Sequence, residues 1–229
     1  MLDQTLLTRL QQRIEARSLL KHPFYRAWQA GELSRADLQA YARQYYFFEA
    51  NFPRYLSAIH SHCPDREVRQ AILVNLWDEE HGTQNHRALW LDFCAGLGLD
   101  RDEVEPTPVQ HQTQRLLDTY WNICAEGSFQ EGLAALYAYE YQVPQVAEEK
   151  QRGLREFYGL TDGPAVKFFE VHGTLDLEHS NREAQAIVGQ TTVASAAAVE
   201  TALQRALEAW WGFLDGVEEQ RQLLAQTAH

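Results

Sequence analysis

Residues Thr161 to Val188 read TDGPAVKFFEVHGTLDLEHSNREAQAIV, a turn signature (Thr161 to Pro164) followed by an unbroken helical pattern. On that helix His172, Asp176 and His179 fall at i, i+4 and i+7, which puts all three on one face. Phe169 precedes them by a turn on the same face and Ile187 follows two turns later. Three ionisable groups therefore interrupt an apolar stripe. Burying each one charged and unpaired costs several kcal/mol. A metal removes that cost, because imidazole and carboxylate both suit iron, manganese or zinc. A partly exposed face with an ordinary Asp–His pair is the alternative that the triad alone leaves open.

The helical pattern extends over nearly the whole chain. Leu2 to about Arg17 forms a first amphipathic helix, and His22-Pro23 opens a short one ending near Gly31. Ser34 with Asp37 resembles a capping box ahead of a long aromatic-rich helix, which Pro53 is expected to kink. Pro64-Asp65 starts a helix reaching at least Glu79, with Gly82 a point of interruption before His86. Thr107-Pro108 starts another, to about Glu126. Ser128 with Glu131 caps the next, which carries Glu140 and is expected to kink at Pro144. Thr191 or Thr192 begins the last. No β-branched alternation bounded by turn residues occurs, so no strand is expected. Seven or so helices with short connections predict an all-α bundle, and the lack of a Pro/Gly/Ser-rich linker predicts one domain over 1–229.

Composition narrows the function. The 229 residues suffice for a sizeable core, and 45% hydrophobic with 23% charged residues is ordinary for a globular chain. A formal net charge of -12 argues against binding nucleic acid or docking on a membrane through a basic patch. Cys63, Cys94 and Cys124 are odd in number and form no CxxC, so neither a disulfide framework nor a zinc ribbon is indicated. The opening MLDQTLLTRL lacks the layout of a secretory signal, and no run approaches 18 apolar residues. A cytoplasmic location is the default expectation.

Two further signals join the triad. Glu79 and His86 lie seven residues apart, about 20° short of two turns, hence again on one face. A rise of roughly 10 Å separates them, so their side chains must converge. Asp78-Glu79-Glu80 reads equally as a solvated acidic turn. Glu140 is a lone carboxylate in an apolar and aromatic setting with Leu133 and Tyr137 on its face, and glutamate is almost never fully buried unless paired. An arginine partner or rim exposure is the plainer account. Together the three signals offer three carboxylates and three imidazoles from three helices. Two divalent ions with a bridging hydroxide would balance such a set. It departs from the common paired Glu-x-x-His set, since only Asp176-x-x-His179 has that i, i+3 form.

These residues resemble the CADD-like proteins, di-metal oxidases with a heme-oxygenase-like fold related to TenA-like and PqqC-like proteins. The resemblance covers nearly the whole chain. It rests on His22-Pro23-Phe24-Tyr25, on Phe52 to His62 (FPRYLSAIHSH), on Asp78-Glu79-Glu80 with Asn85-His86, on Ala135-Leu136-Tyr137 through Glu140, and on His172-x-x-x-Asp176-x-x-His179. It implies that Glu79, His86, Glu140, His172, Asp176 and His179 bind two transition-metal ions, either two irons or iron with manganese. It further implies an oxygen-activating enzyme of 4-aminobenzoate synthesis for folate, using dioxygen and an external reductant, and a homodimer. In this family an internal tyrosine is oxidised, cleaved from the backbone and released as the aromatic product. By resemblance that tyrosine is Tyr25, and Lys150 is a candidate amino donor, with one or a few turnovers per chain. Tyr41 and Tyr139 match aromatic positions of the family and are candidates for relaying electrons or shaping the pocket. Without the resemblance, Tyr25, Tyr41 and Tyr139 read as core aromatics and Lys150 as a solvated helix residue.

Three other readings compete. The same centre could act on an external substrate such as a fatty or amino acid. A TenA-like aminopyrimidine hydrolase would need a cysteine nucleophile, for which Cys124 is the candidate. A non-enzymatic interaction module would use the long aromatic faces and leave the metal set vestigial.

Overall fold

The computed structural model describes residues 2–161 and 163–227, with backbone alone for residues 2–4, 174–176 and 227. The chain is all-α, as its periodicity predicts, and no strand occurs among the described residues. In order the helices are α1 (Leu2–Ala16), α2 (Pro23–Ala30), α3 (Arg35–His62), α4 (Arg66–Glu80), α5 (His86–Gly96), α6 (Arg101–Val104), α7 (His111–Trp121), α8 (Phe129–Glu140), α9 (Val143–Glu156), α10 (Pro164–Gln190) and α11 (Ala196–Thr227). The long helices α3, α10 and α11 frame the bundle. α10 packs on α5, α8 and α9, while α11 packs on α7 and α8 and α3 packs on α4, α5 and α7. The buried hydrophobic residues form one contiguous cluster from Leu6 to Val217. No helix among the described residues is long and apolar enough to cross a membrane.

Local chemistry explains where the helices begin and end. Both expected capping boxes form. Ser34 accepts from the Asp37 N–H and Ser128 from the Glu131 N–H, and each acid reaches back to the cap's own N–H. Each pairing satisfies donors that a helix start otherwise leaves orphaned, an effect of about 1 kcal/mol. The histidine of the His22-Pro23 opening is structural. Its Nδ1 accepts from the Phe24 N–H at 3.2 Å and its Nε2 lies 3.1 Å from Asp215 on α11. Both ring nitrogens are thus engaged.

Three boundaries and one shared face differ from expectation, each for a visible reason. The helix carrying Glu79 ends at Glu80, and a five-residue turn with Gly82 at φ 78° and Asn85 as the next N-cap separates it from His86. Glu79 and His86 therefore sit on different helices and not on one face of a continuous helix. At Pro144 the chain breaks instead of kinking. α8 stops at Glu140, and Pro144 occupies the first turn of α9, where a missing N–H costs nothing. The Gln142 side chain fills the break by accepting from Leu19 N–H and donating to Ala138 O. α7 starts at His111 and not at Thr107-Pro108, because Gln44 holds the preceding segment extended, donating to Pro108 O and accepting from Gln110 N–H. α11 starts at Ala196 and not at Thr191 or Thr192. Thr192 and Ser195 exchange N–H to hydroxyl bonds in a capping turn ahead of it. Pro53 lies inside α3, which continues through it to His62.

Candidate metal centre

Polar groups belong on the outside of a bundle, yet a group of them sits in the middle of this one. Glu49, Glu79, His86, Glu140, His172, His179 and Glu183 are each buried, at 2–6% exposure. They come from α3, α4, α5, α8 and α10, so the site is where five helices turn ionisable faces toward one another. Such burial is unfavourable unless opposite charge or coordination compensates it.

The tightest grouping is Glu49, His86 and His172, whose ligand atoms all lie within 4.8 Å of one another. That is close to the roughly 4 Å spread that metal bonds of about 2 Å impose. The His86 and His172 rings are 4.3 Å apart between centroids. The Gly82 turn folds His86 back onto Glu79, with Nδ1 2.9 Å from a Glu79 oxygen. A second grouping lies further along α10. Asn75 donates to Glu140 at 2.9 Å, and His179 Nε2 stands 3.2 Å from Asp78. Glu183, one turn beyond His179, borders the same small cavity as Asn75 and His179.

The three histidines share a pattern that tests whether the residues suit a metal. His172 Nδ1 lies 2.8 Å from the Phe168 carbonyl, an acceptor, so Nδ1 carries the proton and Nε2 the lone pair. His179 likewise sets Nε2 3.2 Å from Asp78, and His86 Nδ1 lies 2.9 Å from a Glu79 oxygen. An imidazole with one nitrogen set against a carbonyl or carboxylate is how metal-binding histidines are held. Burial, followed by the neighbouring His86, holds the His172 imidazole well below its usual titration range, hence neutral as a ligand must be. His22 shows the contrast, with both nitrogens used. The donor set is therefore chemically suited to iron or a similar cation.

Of the six expected ligands, the structure brings Glu79, His86, Glu140, His172 and His179 into this interior. The Asp176 side chain lies outside the described residues. Sequence reading missed Glu49, Glu183, Asn75 and the anchor Asp78. Glu49 carries the same signal as Glu140, a lone carboxylate in an aromatic run (Tyr45-Tyr46-Phe47-Phe48-Glu49). Glu183 extends the 172, 176, 179 face by one more turn.

A closed aromatic chamber abuts His172. Leu19, Val143, Phe168 and Phe169 wall it, and Tyr25, Tyr45, Tyr139 and Lys150 reach into it. α2 and α9 are drawn together here because Gly153 faces Trp28, whose indole would lie 2.6 Å from a Cβ at that position. The Trp28 N–H also donates to the Lys150 carbonyl at 3.3 Å. The Lys150 ammonium donates to the Tyr41 hydroxyl at 2.7 Å, and Tyr41 shares a hydrogen bond of 3.1 Å with Tyr25. Tyr41 thus bridges the amine and the phenol. Tyr45 and Tyr139 share a further hydroxyl–hydroxyl bond, and Tyr139 stacks on Trp210 at 4.6 Å. Tyr45 was not anticipated, although it sits one turn after Tyr41.

Five aromatic faces surround Lys150 Nζ at 4.9–5.8 Å, from Tyr25, Tyr41, Tyr45, Trp90 and Phe169. Burial pulls its pKa down to about 7, opposed by the carboxylate of Glu49. The cost of this has a definite pH signature. Between pH 7 and the ordinary lysine pKa the unfolded chain binds a proton that the folded one does not, so this group makes stability rise with pH there. Below pH 7 the folded protein carries the full penalty, at most about 5 kcal/mol. Lys150→Met is therefore expected to stabilise the metal-free protein at pH 6.5 by on the order of 1–3 kcal/mol, with the gain fading toward pH 10. Denaturant melts across that range check it, and a gain that is absent or flat with pH contradicts the assignment.

Burial also places Cys63, Cys94 and Cys124, all free thiols, in the interior. The Cys124 thiol is pushed far up by burial, the opposite of what an activated nucleophile needs. This removes the basis for the cysteine-hydrolase reading.

Comparison with known proteins agrees with this interior. A family model described as iron-containing redox enzyme matches residues 39–211, a span containing every group of the centre. A 4-aminobenzoate synthase from Nitrosomonas europaea is 43% identical over 217 residues, covering 90% of this chain and 88% of its own. A solved domain of unknown function with a heme oxygenase-like fold, from Shewanella denitrificans, matches with TM-score 0.78 at 18% identity, over 98% of this chain and 93% of its own. A CADD-like protein of unknown function from Nostoc punctiforme matches with TM-score 0.76 at 18% identity, over 96% of each chain. The fold is thus the all-α, heme-oxygenase-like one expected from the sequence.

Proposed function

The chain belongs to the family of iron-containing redox enzymes, and on that premise we propose that it makes 4-aminobenzoate from its own Tyr25, with Lys150 supplying the nitrogen. The observation that carries this reading is the size of the aromatic chamber. Its void is about 10 Å³, room for one water at most. An external aromatic substrate has no place there, whereas the Tyr25 ring already occupies the chamber beside the lysine.

Two ions would be held by Glu49, Glu79, His86 and His172 on one side and by Glu140 and His179 on the other, with Asp78 and Asn75 orienting ligands and Asp176 a further ligand on the resemblance alone. Bound iron supplies the power to reduce dioxygen and so to oxidise a neighbouring ring. The chain's own groups do the rest. Tyr25 provides a six-membered ring with a para oxygen and a benzylic carbon. Product formation breaks the Tyr25 Cα–Cβ bond and the Lys150 Cε–Nζ bond: Cβ leaves as a carboxyl group with a hydrogen left on Cα, the ring C–O bond gives way to C–N with that oxygen lost as water, and the lysine Cε is left as an aldehyde. Both oxidations draw on dioxygen, whose reduction to water the external reductant completes. Lys150, with its pKa near 7, offers a nitrogen lone pair at neutral pH, which an ordinary lysine does not. Tyr41 holds amine and phenol within one hydrogen-bond chain. Tyr45 and Tyr139 line the chamber's far side and can pass an electron and a proton across their shared bond. The aromatic walls exclude water, which protects an oxidised ring from side reactions.

Protein grown on ring-¹³C-labelled tyrosine, loaded with iron and given reductant and oxygen without any added aromatic compound, is expected to release aminobenzoate bearing all the ring label. Its intact mass should fall correspondingly. Unlabelled product, or product with Tyr25 intact, would mean that the ring comes from elsewhere.

A further inference from the structure

Beside the second group of ligands lies a cavity of about 20 Å³ that the chemistry above leaves without a role. Its walls are the hydrocarbon side chains of Leu56, Val68, Ile72 and Leu133, from α3, α4 and α8, all buried at 1–6% exposure. At the inner end stand Asn75, His179 and Glu183. At the outer end, between α4 and α10, stand the half-exposed Ala71, Arg182 and Ala186. The cavity therefore leads from a mouth between α4 and α10 to the His179 side of the centre.

The walls favour one kind of occupant. A buried water needs two to four polar partners, and cavities lined by leucine and isoleucine stay dry while accepting apolar guests such as xenon. The four aliphatic walls offer neither donor nor acceptor. The polar groups are confined to the two ends, Arg182 at the mouth and Asn75, His179 and Glu183 within, where Asn75 donates to Glu140 and one His179 nitrogen is taken by Asp78. The volume suits a diatomic molecule and excludes anything with a ring. The chamber around Tyr25 gives no comparable access, because every residue lining it is buried.

We infer that this cavity is a binding and entry site for a small apolar gas, namely the dioxygen that the proposed reaction consumes, delivered to the His179 side while the Tyr25 chamber stays closed. The inference rests on the proposed use of dioxygen, but the cavity can be read without any metal.

Xenon is the probe. In crystals of the protein pressurised with xenon, a peak is expected among Leu56, Ile72 and Leu133. Ala71→Phe, a change at the half-exposed mouth that leaves the core intact, should remove that peak. The same variant, carrying as much iron as the parent, should react with dissolved oxygen at least tenfold more slowly when reduced. Leu133→Ala, which enlarges the void, should raise xenon occupancy. Xenon absent from the unaltered protein overturns the inference. So does an unchanged rate of oxygen uptake in an Ala71→Phe protein that has lost the peak. If oxygen uptake depends on Ala71 as described while no aminobenzoate is released, the passage stands and the tyrosine chemistry falls.

Discussion

Tyr25→Phe is expected to take aminobenzoate release below detection, a loss of at least a hundredfold, while the helical fold and the metal loading persist. The substitution keeps the ring that fills the space at 2% exposure and removes only the hydroxyl that bonds to Tyr41. Its structural cost is one buried hydrogen bond, about 1 kcal/mol. Lys150 keeps its own bond to Tyr41. What disappears is the para oxygen, and with it both the easily oxidised phenol and the position at which nitrogen must enter. Mass spectrometry of the small-molecule fraction reads the product, and circular dichroism and elemental analysis read fold and iron. Undiminished aminobenzoate from a well-folded, metal-loaded Tyr25→Phe protein would rule this tyrosine out as the source of the ring.

His172→Ala is expected to cost the protein at least half of its bound metal and to weaken what remains by well over tenfold, given that even outer-shell partners of metal ligands are worth 10–100-fold. The imidazole stands between the first group of ligands and the aromatic chamber. It faces Glu49 and His86 within ligand distance, and its stacking on Phe168 at 3.9 Å forms part of the chamber wall. Elemental analysis after anaerobic loading, at matched protein concentration, provides the number. Metal content equal to the parent's would take His172 out of the centre.

How much of this could be read from sequence depends on whether the signal was local. The 172, 179 spacing on α10 is local to one helix, and both histidines point into the interior as their period requires. The Ser34 and Ser128 caps are local and form as expected. Glu79 and His86 illustrate the opposite case. Seven residues of helix predict one face, but Gly82 at φ 78° and the Asn85 cap outweigh two further turns of helix. The pair converges more closely across the break than a straight helix would allow. Lys150 could not be placed by spacing at all. Flanked by Glu148 and Glu149 it reads as solvated, and tertiary packing buries it, through the close approach of α9 to Trp28 at Gly153 and the five rings around its Nζ. Glu49 was legible on the same ground as Glu140 and went unread, because an aromatic run on a long helix reads first as core. The tertiary pairs, Asp78 with His179 and Asn75 with Glu140, join residues 65–101 positions apart. No periodicity reports such partners.

The complete enclosure of Tyr25 has a consequence for the fate of the molecule. In the proposed reaction, a chain that has given up this side chain would hold a hole the size of a phenol in its interior, beside a Lys150 side chain stripped of its amine. Aromatic-to-alanine changes in cores cost about 3–5 kcal/mol, against a total stability of about 5–15 kcal/mol for a typical domain. Exhausted copies would therefore open more often than fresh ones and be cleared sooner by cellular proteases. Having acted once would itself mark a chain for disposal, with no separate tag required.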